Sequence, residues 1–191
     1  AFSGGGTMAY DTLRNLPPFI FDSGLRLCAS PKAMLPPGVE PTLDTLVALM
    51  DGAKKKLTVQ LLSYSTDKSE FSVLEEAMKQ AAACGVAVKL LVSDWSLRPD
   101  GQRDLKRLNG IAGIEVKAIG IPQLPSGFIP FARVHHSKVL RVDDDTCVIS
   151  TSNWSADYFN RSRNVEIILK SVSAAARLDR LFDSLWRSPY T

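Results

Sequence analysis

Residues 134–153 read VHHSKVLRVDDDTCVISTSN, and this stretch decides both the fold and the candidate chemistry. Two runs rich in β-branched and apolar residues, VHHSKVLRV and TCVISTSN, flank three consecutive aspartates, which predicts a β-hairpin turning at Asp143, Asp144 and Asp145. The chain has two histidines, and both stand at the start of the first run. On a strand, side chains alternate between faces, so His136 and Lys138 share one face while His135 and Ser137 take the other. An imidazole beside an ammonium suits an anionic substrate: the lysine neutralises charge on oxygen while the histidine attacks or passes a proton. Phosphate diesters need that combination.

Outward from the hairpin, the pattern alternates. Upstream, apolar positions recur at helical spacing from Pro41 to Ala53 and from Glu70 to Gly85, with Gly85 placed to end the second helix. Strand-like runs KLTVQLLSYS (56–65), VAVKLLVSDW (86–95) and IEVKAIG (114–120) lie between them, with a short helix around GQRDLKRLNG (101–110). Downstream, NVEIILK (164–170) reads as a strand and AAARLDRLFDSLWRS (174–188) as a helix. Strands alternating with helices, plus one hairpin, predict an α/β domain whose mixed sheet is flanked by helices on both faces. Residues 1–40 hold paired prolines and read as an extended lead-in or linker with one edge strand in LRLCAS; residues 41–191 form the domain.

Composition narrows the field little. A chain of 191 residues with 45% hydrophobic content can bury a real core. A net charge of +3 favours anionic partners weakly and separates nucleic acid from lipid headgroups not at all. Three cysteines, Cys28, Cys84 and Cys147, lie too far apart for a zinc site or disulfide framework, and Cys147 reads as a small core residue. No apolar run approaches the roughly 20 residues of a membrane span, and no charged-then-apolar leader opens the chain, so it is expected to be soluble as given. The compartment stays unassigned. The opening AFSGGGTMAY is set aside from fold reasoning.

An HxK pair alone recurs by chance, and a lone histidine is more often structural. The neighbours make the pattern specific: HxKxxxxD is completed by Asp143, and STSN follows at 150–153. With these residues the chain resembles the phospholipase D superfamily, whose signature is HxKxxxxD followed by GSxN or GTSN and a glutamate in an apolar strand. The stretches IPFARVHHSK (129–138) and TSNWSADYF (151–159) are similar to those of the animal endolysosomal phospholipase D-like proteins and the poxvirus envelope phospholipases. The likeness runs from AYDT to LWRSPY and so covers nearly the whole chain.

The resemblance implies a phosphodiesterase working by double displacement with no metal and no cofactor. One motif histidine attacks phosphorus to give a phosphohistidine while a second, from another copy of the motif, protonates the departing oxygen, and His136 is implied as one of that pair. Lys138, Thr151 and Asn153 are implied as holders of the non-bridging oxygens, and Glu166 as the acceptor that fixes the ring of His136. Asp143 belongs to the motif as well, yet its place at the turn and its opposite parity predict a hairpin brace. Ser150 departs from the usual glycine, and His135 stands where the relatives often carry asparagine. Arg133, Arg161 and Arg163 either steer an anionic substrate or are ordinary surface charge. Tyr64 and Trp95, at strand ends, are candidates to line a channel; Trp154 and Phe159 read as core more than as stacking surfaces.

One motif is half of such a site. The other half is expected from a missing N-terminal domain, with this chain as the C-terminal half, or from a homodimer mate across a two-fold axis. The substrate is expected to be nucleic acid, cleaved as single strands; the alternatives are a phospholipid hydrolase or phosphatidyltransferase, and a non-catalytic module that keeps the fold.

Overall fold

The computed structural model describes residues 24–65, 72–127, 129 and 132–191. Most of the expected lead-in (1–23), the first residues of the helix expected from Glu70, and part of the proline-bearing loop before the motif lie outside the described residues. The chain order is β1 (Leu25–Ser30), β2 (Glu40–Pro41), α1 (Thr42–Asp51), β3 (Lys56–Leu61), α2 (Val73–Ala83), β4 (Ala87–Ser93), α3 (Pro99–Asn109), β5 (Ile114–Ile119), β6 (Val139–Val142), β7 (Thr146–Ser150), α4 (Ala156–Asn160), β8 (Asn164–Lys170) and α5 (Val172–Trp186).

The helices form where apolar spacing predicts them. In α2, Leu74, Ala77, Met78, Ala81 and Ala82 fall on one stripe and are all buried. Gly85 ends the helix at φ +86°; its N–H reaches the Ala82 carbonyl at 2.9 Å and that of Val86 reaches Ala81 at 3.0 Å, a paired C-terminal cap that requires the left-handed backbone. Crossover helices α2 and α3 join β3, β4 and β5, which therefore pair in parallel. From β6 onward the strands run as an antiparallel meander.

The eight strands among the described residues make one mixed sheet in the order β2-β1-β8-β7-β6-β3-β4-β5. LRLCAS is not an edge strand: β1 pairs along its six residues with β8, and the two-residue β2 caps the edge outside it. Residues 25–30 and 40–41 thus belong to the sheet. The main core lies between one face of the sheet and α1, α2 and α3, with Leu57, Val59, Leu90, Val148 and Ile168 meeting Leu46, Met50, Met78 and Leu108. On the opposite face α5 covers Leu91 and Ile119 with Phe182 and Trp186, whose rings stack at 5.3 Å.

The helix α5 is anchored by a buried cation. Arg141, fully buried on β6, grips Asp179 through Nε and Nη2, both at 3.1 Å, and Lys56 adds a contact to Asp179 at 2.8 Å. Beyond α5, no helix among the described residues covers the same face. Ile149, Ile167 and Leu27 stand opposite one another across β7, β8 and β1, and Ile149, Val165 and Ile167 are 42–50% exposed. No helix among the described residues is long and apolar enough to cross a membrane.

Candidate active site

The motif enters the sheet rather than lying in it. β6 begins at Val139, where pairing with Gln60 and Ile149 starts, so His135 to Lys138 form the approach to the strand and not its first half as expected. One bond continues the ladder, from the Ser150 N–H to the Lys138 carbonyl at 3.0 Å. That bond is enough to keep Lys138 in register, and the expected pairing of His136 with Lys138 survives. The Lys138 ammonium lies 3.1 Å from Nε2 and 3.2 Å from Nδ1 of His136, and also donates to the His136 carbonyl at 3.0 Å.

The two groups differ in exposure: Lys138 is buried and His136 is open to solvent. Burial holds the Lys138 pKa below the ordinary lysine value. The ammonium is nearly equidistant from the two ring nitrogens, so it lies against the imidazole as a whole and not along the lone pair of one nitrogen. His135 turns the other way and is buried. Burial first, then electrostatic interaction with Lys138 and with His136, push its pKa down, and its Nε2 has no hydrogen-bond partner among the described residues.

Glu166 is fully buried on β8, but its carboxyl does not meet His136. Glu166 stands beside Ser150, and Ser150 follows the ladder to Lys138, so Glu166 is two strands, roughly 10 Å, from the lysine's position. Its oxygens are taken instead by three hydroxyls: Ser152 at 2.6 Å, Ser150 at 2.9 Å, and Thr42 at the first turn of α1. The Cys28 thiol lies 3.9 Å away, and burial, then the nearby carboxylate, push its pKa up to about 12.

Ser150, the departure from glycine, therefore has a use. Its hydroxyl donates to Glu166 and accepts from the Ser152 N–H at 2.8 Å. Among the described non-glycine residues only Arg133 and Asp143 have positive φ, so the serine meets no backbone strain. Ser152 and Thr42 were missed by sequence reasoning. Ser152 sits inside the STSN run and could have been singled out there; nothing local marks Thr42.

Thr151 and Asn153, expected to hold phosphate oxygens, are hydrogen-bonded within the chain. Thr151 is exposed, and its hydroxyl donates to Asn164 Oδ1 at 2.9 Å while accepting from the Val165 N–H at 3.2 Å. Asn153 is buried, with Oδ1 accepting from the Ser63 N–H at 3.1 Å and Nδ2 donating to the Tyr158 hydroxyl at 2.9 Å. It ties the end of β3 to α4 beside the motif. Asp143 accepts from three successive backbone N–H groups, those of Lys54, Lys55 and Lys56, at 2.7–3.2 Å. Its carboxyl joins the hairpin turn to the loop between α1 and β3.

The aromatic candidates divide. Tyr64 is buried, its hydroxyl donating to Glu75 at 2.8 Å, so it lines no channel. Trp154 and Phe159 are core. Trp95 is 39% exposed and lines a cleft with Arg133. Arg161 pairs with Asp157 at 3.1 Å, and Arg163 borders an apolar groove beside Thr151.

A mixed eight-stranded sheet between helices, with a histidine and a lysine in contact where the hairpin strand begins, defines an α/β domain of the phospholipase D and nuclease type. A family model described as cardiolipin synthase, PLD-like domain matches residues 46–186, and the chain belongs to that family. It is 34% identical to the 5'-3' exonuclease PLD4 of Mus musculus over 185 residues, covering 85% of this chain and 37% of the relative. It is 28% identical to phospholipase D Z of Dictyostelium discoideum over 177 residues, covering 86% of this chain and 41% of the relative. The chain thus spans about two fifths of the length of these relatives. The solved structure of NucT from Helicobacter pylori superposes with a TM-score of 0.72 at 14% identity, over 86% of this chain and 96% of that one. At that identity the likeness speaks for the fold.

Proposed function

We propose that this chain is one half of a metal-independent phosphodiesterase that cleaves single-stranded nucleic acid through a phosphohistidine on His136. The observation that carries the reading is the contact between the exposed His136 ring and the buried Lys138 ammonium. A ring nitrogen of His136 attacks phosphorus, the P–O bond to the leaving group breaks, and the departing oxygen takes a proton from the histidine of a second motif. Water then gives a proton back to that second histidine and attacks phosphorus, the P–N bond breaks, and both histidines are regenerated. Lys138 neutralises the non-bridging oxygens as charge builds on them. Asn153 and Glu166 position the segment, and reach of Thr151 or Asn153 to phosphate requires their present bonds to be exchanged for it.

The half-site reading is supported by the strip of sheet beside α5 that no described helix covers. Ile149, Val165, Ile167 and Leu27 form an apolar row that a second domain or a second copy would cover. Nucleic acid is preferred because the mouse relative is named an exonuclease. One observation favours a phospholipid instead: the groove of about 540 Å³ lined by Leu27, Met34, Leu35, Val39 and Val165, with Arg163 at its rim, is of a size and polarity that accept acyl chains.

The test uses the protein assembled with its second motif, assayed on single-stranded oligonucleotides and on phospholipid vesicles. His136→Ala is expected to lose at least about a thousandfold of the diesterase rate, as removal of a covalent nucleophile does. Undiminished cleavage by that variant would sink the assignment, and cleavage of vesicles alone would transfer it to phospholipids.

A further inference from the structure

The helix α5 turns Ala175, Phe182 and Trp186 inward, and its charges are sorted by side. Asp179 is held by Arg141 and Lys56, and Asp183 lines a recess with Lys56, Thr58 and Lys89 of the sheet, so both carboxylates of the helix lean inward. Arg177, Arg180 and Arg187 take the other side. All three are exposed, and at about 100° per residue they fall within an arc of about 80° that holds Ser173 and Ser184 but no acidic residue.

Stability does not account for this row. Arg177 and Arg180 are three residues apart, so like charges repel across one turn. Asp183 stands three residues after Arg180 and four before Arg187, yet none of the three guanidinium groups has a hydrogen-bond or ion-pair partner among the described residues. The helix dipole favours a cation at the C-terminal end, which explains Arg187 alone. Along the axis the three are spread over roughly 15 Å, so one small anion cannot answer them together. A polyanion that repeats its charge can.

The row also ends beside the motif. Lys117 on β5 donates to the Trp186 carbonyl at 2.9 Å and the Gly120 N–H donates to the Tyr190 carbonyl at 3.0 Å, so the end of α5 is fixed where β5 ends. In register, Lys117, Leu91, Gln60 and Val139 stand in one line across β5, β4, β3 and β6, and Val139 is where the motif segment enters the sheet. Arg187 thus lies at the same end of the sheet as His136 and Lys138, about three strand spacings or roughly 14 Å across. We propose that the outward face of α5 is a backbone track, on which Arg177, Arg180 and Arg187 hold phosphates of a nucleic-acid strand whose scissile phosphate lies at His136. The proposal rests on the nucleic-acid reading above and extends the site beyond the reacting phosphate. Contacts of this kind position a strand and read no sequence.

The experiment measures binding by the protein assembled with its second motif, in a His136→Ala background, from about 50 to about 200 mM salt. Arg177→Gln, Arg180→Gln and Arg187→Gln are made together, and the three changes to Lys serve as the charge-keeping control. The ligands are a single strand of about 16 nucleotides and a dinucleotide, which has one phosphate for the motif and none for α5. Each phosphate contact adds about 0.7 to the salt slope of a single strand, so the Gln variant should lose about 2 from the slope. Over that range the parent should then lose about 20-fold more affinity for the long strand than the Gln variant does. The Lys variant should keep the parent's slope, and the dinucleotide should bind all three proteins alike. A slope unchanged by Gln, a slope lost equally with Lys, or an equal loss on dinucleotide and long strand overturns the track and leaves the nuclease reading standing. The expected loss of slope, in a protein that cleaves no strand once His136 is restored, upholds the track and defeats the phosphodiesterase reading. Binding to anionic phospholipid vesicles that needs the three arginines, with oligonucleotide binding indifferent to them, gives the face to a membrane surface and overturns the proposal.

Discussion

The Ser152 hydroxyl, one residue before Asn153, donates to the Glu166 carboxyl at 2.6 Å, and both residues are fully buried. The carboxyl is thus an organiser of the STSN segment, holding Ser150 and Ser152 from β8 while Thr42 closes it from α1.

Ser152→Ala leaves a buried carboxyl one donor short and should cost about 1–3 kcal/mol, whereas Ser150→Gly, in a half-buried place that water reaches, should cost about 1 kcal/mol. Urea denaturation midpoints check the order. Equal costs, or none, would mean that the hydroxyls are interchangeable with solvent.

Asp143 holds three backbone N–H groups and sits at φ +49°, where alanine is disfavoured. Asp143→Ala should therefore lose about 2–4 kcal/mol, and Asp143→Asn, which tolerates the backbone and keeps one acceptor, clearly less. Thermal unfolding of the two variants side by side measures the difference.

Arg141 is a fully buried cation whose carboxylate partner is Asp179. Asp179→Ala strands it and should cost roughly 3–5 kcal/mol, while Arg141→Met paired with Asp179→Leu should recover most of that loss. A double change as damaging as the single one contradicts the reading of α5 as pinned by this pair.

Burial would raise the Glu75 pKa, but hydrogen bonds from Arg107, Lys79 and Tyr64 outweigh it and bring it down to about 2. A carboxylate with a folded pKa below its unfolded one stabilises above the unfolded value, near 4.5, and loses that contribution as pH falls toward 2. Urea midpoints measured from pH 5 down to pH 3 should fall, and Glu75→Gln should flatten the slope. A slope unchanged by that substitution assigns the acid sensitivity elsewhere.

Much of this was legible in the sequence, for physical reasons that also mark where reading stops. The α2 stripe and Gly85 carry their own periodicity and cap, and three aspartates announce the turn before β7. The His136 and Lys138 pair is set by spacing along one segment, so it was readable although the segment enters β6 instead of belonging to it. Alternation in VHHSK matches a strand, but a ladder also needs partners, and pairing with Gln60 and Ile149 starts only at Val139. LRLCAS was read as an edge because prolines flank it, while its pairing with β8, far along the chain, left no local trace. The partners of Glu166 were hidden for the same reason: Thr42 is 124 residues distant, and the hydroxyls that meet the carboxyl come together only in the folded chain.

Two adjacent histidines allow the central claim to be tested at a single residue. The protein assembled with its second motif would be quenched during turnover of an oligonucleotide labelled with radioactive phosphorus at the scissile phosphate, then digested under alkaline conditions and mapped by mass spectrometry. The account predicts label on His136, present in His135→Ala and absent in His136→Ala. Label on His135, or turnover with no labelled histidine at all, would contradict it.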